Sequence, residues 1–446
     1  MSSSTSSTSS TQAPLTAALQ AATTRFTTRN PRSAALHASA LSSMPGGNTR
    51  TTLHTSPFPV YMKSGSHHTV TSEDGHVYTD LVGEFTAGLY GHSHPVIQQA
   101  IAECVGSVGL NLGAQTAHEI TYARDLCARF GLERVRFANS GTEANLHALA
   151  AARAFTGRRR VVVFGGGYHG AVLGFAGGKV GRNNVDRGEF TVVVDGYNGE
   201  GDGIEGWLEG EGEEGVAAVL VEGMQGAAGA IPGRREWLLE VLEAAKKAGA
   251  LFILDEVMTS RLSPGGIAEL YGLTPDLKTF GKWLGGGLAF GGFGGREDVM
   301  STFDPRSPNA LSHGGTFNNN TLAMYVGHAG LSKIYTPEAC VQLNRMGDAL
   351  RERLQELTKG TKLCFSGMGS LLASHFTEEG LEEIVREVPE NAQLKDLFWY
   401  EMMEEEFWVV RRGNISLILG TPQEELDRFV DAVKAFLERH VELVKV

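Results

Sequence analysis

Between residues 75 and 330 short apolar, β-branched runs alternate with stretches of helical period. The runs are Arg134-Val135-Arg136-Phe137, Val161-Val162-Val163-Phe164, Val192-Val193-Val194, Val219-Leu220-Val221 and Leu251-Phe252-Ile253-Leu254, with helix-compatible segments such as 143–155 and 235–248 between them. Strands that are apolar throughout are buried on both faces, so this alternation predicts an α/β unit built on a mostly parallel sheet with helices on either side. Ligands of such sheets bind beyond the carboxyl ends of the strands. After about 330 longer amphipathic segments at 334–358 and 423–444 flank strand candidates at 363–376 and 407–418, which predicts a smaller α+β unit. The predicted division is a Ser/Thr tract over 1–12 with too little apolar content to fold, an N-terminal segment of the small domain over 13–75, a large domain over 76–330, and the C-terminal part of the small domain over 331–446. Leu15, Leu19 and Phe26 have helical spacing and are expected to dock the N-terminal segment on the folded body.

Composition narrows the function classes. Net charge is −12, from 39 Lys+Arg against 51 Asp+Glu, and no basic patch stands out, so nucleic acid is not an expected partner. No run approaches the roughly 20 apolar residues of a membrane helix. A small metabolite is the expected ligand. Cys104, Cys127, Cys340 and Cys364 form no metal or redox spacing and are expected to be buried free thiols of a reducing compartment. Arg25, Arg29 and Arg32 in an acid-free N-terminus mildly resemble an organellar transit peptide, but a cytoplasmic, docked segment is the preferred expectation. The 57 glycines are unusual and cluster at Gly165-Gly166-Gly167, Gly285-Gly286-Gly287 and Gly291-Gly292, which marks places where backbone turns sharply or approaches a ligand.

Three motifs carry chemistry. Asn139-Ser140-Gly141-Thr142-Glu143-Ala144 follows a predicted strand and opens a helix. A helix N-terminus with a glycine and two hydroxyls is a phosphate cradle, although a Ser or Thr before a helix, taken alone, is more often just an N-cap. Leu254-Asp255-Glu256-Val257 closes the most apolar strand, where a carboxylate is either a cap or a functional group at the crevice. Thr279-Phe280-Gly281-Lys282-Trp283-Leu284 puts a lysine among apolar and glycine neighbours. Lost hydration lowers an amine's pKa and makes it nucleophilic, whereas a lone lysine is ordinarily a solvated surface group. Cradle, acid and lysine in this order favour the functional reading of all three.

With these motifs the chain resembles the class III, fold type I aminotransferases that use pyridoxal 5′-phosphate, and within them the glutamate-1-semialdehyde aminomutases and, more closely, bacterial β-amino acid (β-phenylalanine) aminotransferases. The matching stretches run from Met44-Pro45-Gly46-Gly47-Asn48-Thr49-Arg50 through Gly91-His92-Ser93-His94-Pro95, Gly167-Tyr168-His169-Gly170 and Asp255-Glu256-Val257-Met258-Thr259 to Gly314-Gly315-Thr316-Phe317. The resemblance implies a seven-stranded sheet in the large domain, with Lys282 as the Schiff-base lysine and Asp255 as partner of the pyridine nitrogen. It further implies that Ser140, Gly141 and Thr142 hold the phosphate, that Tyr168 stacks on the ring with His169 one layer behind, that Val257 packs on the other face, and that Glu222 joins the cofactor-binding set. Thr316 resembles the hydroxyl that reaches the phosphate of the neighbouring subunit, implying a homodimer with shared sites.

The implied reaction passes an amino group from a β-amino acid or related amine to a keto acid such as 2-oxoglutarate or pyruvate. A 2,1-aminomutase, an ω-amino acid or amine transaminase, and a non-catalytic descendant are the alternatives. Against the aminomutase, the chain has Ala227 where those enzymes carry Asn, and it lacks their terminal Ser-x-Phe-Glu-Ala segment. Arg50 and Arg412 are the candidate grips for substrate carboxylate, because guanidinium offers two parallel donors. On a strand through 408–416 Arg411 and Arg412 would face opposite ways, and the sequence leaves open which points inward. Phe85 or Tyr90 is expected to wall the side-chain pocket.

Overall fold

The computed structural model describes residues 8–199, 203–209 and 215–446. Helix α1 (Thr8–Arg29) begins inside the Ser/Thr tract: from Thr8 onward that tract is helical rather than unfolded, and residues 1–7 lie outside the described residues. What draws the segment into order is its apolar face. Leu15, Ala22 and Phe26 are buried, and the Phe26 ring packs 5.3–5.4 Å from Phe58, Trp399 and Tyr400. Burial of the Leu15 and Phe26 side chains contributes about 1.5–3 kcal/mol each. The N-terminus is thereby fastened to a helix near the end of the chain, 392–404, and Arg25 adds an ion pair to Glu404 at 2.8 Å.

The central sheet has seven strands: β1 (Arg134–Ala138), β2 (Arg160–Phe164), β3 (Phe190–Val193), β4 (Val216–Glu222), β5 (Leu251–Asp255), β6 (Leu277–Gly281) and β7 (Gly291–Gly295). Their order across the sheet is β1-β7-β6-β5-β4-β2-β3, and all run parallel except β7, which is antiparallel to both neighbours. The expected parallel α/β sheet is therefore present. Every residue of β4, β5 and β6 is buried, which is why these runs carry no alternation. Strand β7 reads Gly-Gly-Phe-Gly-Gly; a Cβ on Gly291 would stand 2.2 Å from the Ser140 carbonyl, so the bare backbone lets residue 140 settle directly on the sheet.

Strands 62–66, 69–72 and 77–80 form a second sheet completed by Phe407–Trp408, so the 77–80 strand pairs on both sides with residues outside the span 76–330. The strand expected over 407–418 is instead two short pieces, 407–408 and 414–416, separated by a turn in which Gly413 adopts φ +86 and donates to the Val410 carbonyl. Of the cysteines, Cys104, Cys340 and Cys364 are buried free thiols as expected, while Cys127 is partly exposed. Among the described residues no helix is long and apolar enough to cross a membrane.

Candidate active site

A cleft of about 960 Å³ opens at the carboxyl ends of the parallel strands. β1 delivers Gly141 and Thr142, β2 leads to Tyr168 and His169, β4 ends on Glu222, β5 on Asp255, and β6 runs into Lys282; all of these line the cleft. The parallel register sets Asp255 directly beside Glu222 on one side and Thr279 on the other.

Helix α2 (Gly141–Thr156) starts at the first of these ends. Ser140 is its N-cap, accepting from Glu143 N at 3.2 Å, so the capping reading of this hydroxyl holds in the structure and it does not line the cleft. The amides of Gly141 and Thr142 have no intrahelical partner and are left for an anion, at the end of the helix where the dipole favours one. Thr142 Oγ1 accepts from Ala171 N at 3.3 Å, and a Cβ on Gly170 would come within 2.3 Å of that same oxygen; this close approach fixes the Tyr168–Ala171 loop against the cradle.

Asp255 is 5% exposed, and three groups surround its oxygens. Oδ2 accepts from Asn145 Nδ2 at 2.8 Å and lies 2.8 Å from His169 Nδ1, while Oδ1 accepts from Val257 N at 2.9 Å. Asn145 is itself fixed by Thr279 Oγ1, which donates to Asn145 Oδ1 at 2.7 Å, and by the His169 carbonyl. The sequence reading missed Asn145. Its one signal is an amide on the face of α2 that otherwise carries Ala144, Ala148, Ala151 and Ala152.

Lys282 follows β6 with φ +55, in a left-handed conformation that costs a non-glycine residue about 1–2 kcal/mol. Its amine has no hydrogen bond among the described residues, and its pKa is lowered, chiefly by burial and further by Arg261 and Arg412, against the pull of Asp255 and Glu222. Val257 packs across Gly141 and Gly281, where added Cβ atoms would sit 2.8 and 3.3 Å from its methyls. The half-exposed Tyr168 side chain lines the cleft.

Glu222 binds backbone rather than open space: Oε1 accepts from Tyr168 N at 2.9 Å and Oε2 from Gly226 N at 3.0 Å. Burial raises its pKa from 4.5 to about 7, with Asp255 raising it further and His169 and the two amides opposing. The folded state thus holds this proton to higher pH than the unfolded chain, so stability falls as pH rises from about 4.5 to about 7 and levels off above. The shift is worth roughly 3 kcal/mol at about 1.4 kcal/mol per unit. In cofactor-free protein, Glu222→Gln is expected to flatten the decline in Tm between pH 5 and pH 8 measured by calorimetry. An unchanged slope would place that proton elsewhere.

The two adjacent arginines separate clearly. Arg411 stacks 4.5 Å from the Trp399 ring centroid, donates to Tyr400 Oη at 2.8 Å and pairs with Asp396 at 3.0 Å, while Arg412 lines the cleft with no ion-pair partner among the described residues. A turn, not strand alternation, divides them. Arg50 and Phe85 also line the cleft, but Tyr90 is buried against Gly330 and Trp283 and walls nothing. Thr316 lies on an exposed loop outside this chain's cleft. The sequence did not single out Arg261, which is fully buried and joins the two ends of the cleft by reaching Ser416 Oγ at 3.2 Å and the carbonyls of Thr86 and Leu417.

An anion cradle, a buried carboxylate and an amine of lowered pKa around one cleft fit a phosphorylated pyridine aldehyde. Comparison with known proteins agrees. Residues 52–182 and 204–403 match the model of the class III aminotransferases, and the chain belongs to that family, whose cofactor is pyridoxal 5′-phosphate. It is a transaminase by this membership. The chain is 46% identical over 424 residues to an uncharacterised aminotransferase of Schizosaccharomyces pombe, covering 95% of each. To the β-phenylalanine transaminase of Variovorax paradoxus it is 43% identical over 433 residues, covering 96% of this chain and 98% of the other; the crystal structure of the β-phenylalanine aminotransferase from that organism superposes with a TM-score of 0.92 over 97% of this chain and 99% of that one. A glutamate-1-semialdehyde 2,1-aminomutase of Pelotomaculum thermopropionicum is 32% identical over 403 residues, 86% of this chain and 91% of its own length.

Proposed function

We propose that the chain transfers the amino group of a β-amino acid to a keto acid, in a homodimer whose sites are shared. The observation that carries this reading is Arg412, a cation with no acidic partner among the described residues, on a cleft that Lys282 and Asp255 also line. A guanidinium in that position orients a carboxylate at fixed distance from the reacting carbon. The similarity to the β-phenylalanine transaminase supports the donor class, and Ala227 in place of Asn speaks against the mutase.

Pyridoxal 5′-phosphate, when bound, supplies an electron sink for the bond that loses its proton. Gly141 and Thr142 at the start of α2 would hold the phosphate, with Ser140 shaping the turn from which they project. Asp255, whose oxygens are fixed by Asn145, His169 and Val257, would be the residue that faces the ring nitrogen. Tyr168 and Val257, which both line the cleft, would hold the ring between them, and Glu222 fixes the Tyr168 backbone. Lys282, whose amine pKa is lowered by burial, would be the residue that holds the cofactor at its aldehyde carbon, and its nitrogen would be placed to take the proton from the donor carbon and return it. Thr316, exposed and apart from this chain's own cleft, would supply its hydroxyl to the phosphate in a second copy.

A donor panel of β-phenylalanine, 4-aminobutyrate and a carboxylate-free amine, with 2-oxoglutarate or pyruvate as acceptor, tests this reading. Arg412→Ala is expected to lower kcat/KM for β-phenylalanine by about 10- to 100-fold, the value of a hydrogen-bonded charge, and to leave the carboxylate-free amine nearly unaffected. Equal losses for both donors would remove Arg412 from the carboxylate grip, and isomerisation without any external keto acid would make the protein a mutase.

A further inference from the structure

Loop 170–185 runs along the cleft beside the anion cradle and is built to keep its shape. Buried Asn184 ties it across, donating from Nδ2 to the Gly174 carbonyl at 2.9 Å and accepting at Oδ1 from Gly174 N at 3.0 Å. Gly181 N donates to the same carbonyl at 3.0 Å, and Val185 N to that of Val172 at 3.2 Å. Asn183 donates to the Ala171 carbonyl, and Ala171 N in turn to Thr142 Oγ1 at 3.3 Å, which fastens the loop to the first turn of α2. Lys179 and Arg182 stand on this frame. Both are exposed and line the cleft, and neither makes a hydrogen bond or ion pair with a described residue. The neighbouring acids are engaged elsewhere: Asp186 pairs with Arg153 at 2.7 Å, Glu189 with Arg159 at 2.9 Å, and Glu387 accepts from Gly177 N at 3.1 Å.

A phosphate monoester carries a charge of about −1.5 to −2 at neutral pH, and a chain of net charge −12 repels it as a whole. At about 0.1 M salt, charges more than roughly 10 Å away are screened, so an anion arriving at the cleft answers to the charges of the rim rather than to the net charge of the body. Along the loop tied to the cradle, that rim carries two cations that no described residue neutralises. We propose that Lys179 and Arg182 form an entry site for phosphate: they draw the phosphorylated aldehyde to the loop, from which it passes to the free amides of Gly141 and Thr142. Solvent-exposed charges hold a bound anion weakly, so the two residues act on the rate of capture and not on retention. The inference rests on the reading above that places the phosphate at Gly141 and Thr142, and it does not depend on the amino donor.

The test is stopped-flow association of cofactor-free protein with pyridoxal 5′-phosphate and with pyridoxal, which lacks the phosphate, followed by quenching of tryptophan fluorescence where the rate is linear in ligand. In the double variant Lys179→Gln with Arg182→Gln, association of the phosphorylated aldehyde at about 10 mM salt is expected to slow about fivefold to tenfold, a modest share of what electrostatic steering supplies. At about 0.5 M salt variant and wild type are expected to agree within about twofold, because the screening length has fallen to a few ångströms. Association of pyridoxal, and release of the phosphorylated aldehyde, are expected to change by less than about twofold. Unaltered association at low salt, an equal loss with pyridoxal, a loss that persists at high salt, or a loss found in release instead would overturn the proposal. Wild-type protein that retained pyridoxal as firmly as its phosphate would sink the cradle reading, while the salt dependence of capture still judged Lys179 and Arg182. Retention that needs the phosphate, with capture indifferent to the two residues, would sink the entry site alone.

Discussion

Lys282→Ala is expected to reduce transamination by on the order of 10⁴-fold or more, because one nitrogen performs both the covalent capture and the proton transfer, and general acid–base catalysis alone is worth up to about 10⁴. Steady-state kcat with β-phenylalanine and 2-oxoglutarate measures it, and turnover within tenfold of wild type would remove Lys282 from its role. A stability readout separates chemistry from folding. The residue sits at φ +55 and its partly buried amine makes no hydrogen bond among the described residues, so both backbone and side chain are held in the folded state at a cost. Cofactor-free Lys282→Gly, which relieves the left-handed strain, is expected to melt above cofactor-free wild type, and Lys282→Ala, which retains it, below Lys282→Gly. Such an order identifies a residue kept for function at the expense of stability.

The sheet was legible because β4, β5 and β6 are buried on both faces and so read as uninterrupted apolar runs, and because the cradle, acid and lysine each sit where one of these strands ends. What depends on neighbours distant in sequence was not legible. Arg411 and Arg412 are adjacent, and only Gly413 at φ +86, with its turn, and the rings of Trp399 and Tyr400 decide that one is bound and the other free. Tyr90 carries the same aromatic signal as Phe85, yet a strained turn aims Phe85 into the cleft while Tyr90 falls into the core against Trp283. The tract over 1–12 reads as too polar to fold, and helix nevertheless extends back to Thr8, because propagation from the docked turns at Leu15, Ala22 and Phe26 adds residues to an existing helix more cheaply than a new helix nucleates. Arg261 left no local trace, since its partners are some 155 to 175 residues away in sequence.

Asp255→Asn is expected to lower kcat by about 10²–10³-fold, the usual loss when a preorganised charge is removed from a buried site. The substitution is nearly isosteric but reverses local polarity, since His169 Nδ1 and Asn145 Nδ2 both point at Oδ2 and an amide nitrogen there would confront donors. A second consequence distinguishes loss of charge from loss of shape. The Asp255 carboxylate raises the pKa of Glu222, its register neighbour on β4, and at the same time raises that of the Lys282 amine. Once it is neutralised, the Glu222 carboxyl is expected to titrate below about 7, and the pH-dependent decline in Tm of cofactor-free protein to move to lower pH with it. A variant that had merely disordered the pocket would expose Glu222 to water and return it towards 4.5 together with a large fall in Tm at every pH. Loss of kcat with a modest downward shift and a retained Tm at pH 5 therefore assigns the effect to the charge on residue 255, and an unaltered Glu222 titration would show that the two carboxylates do not sense one another.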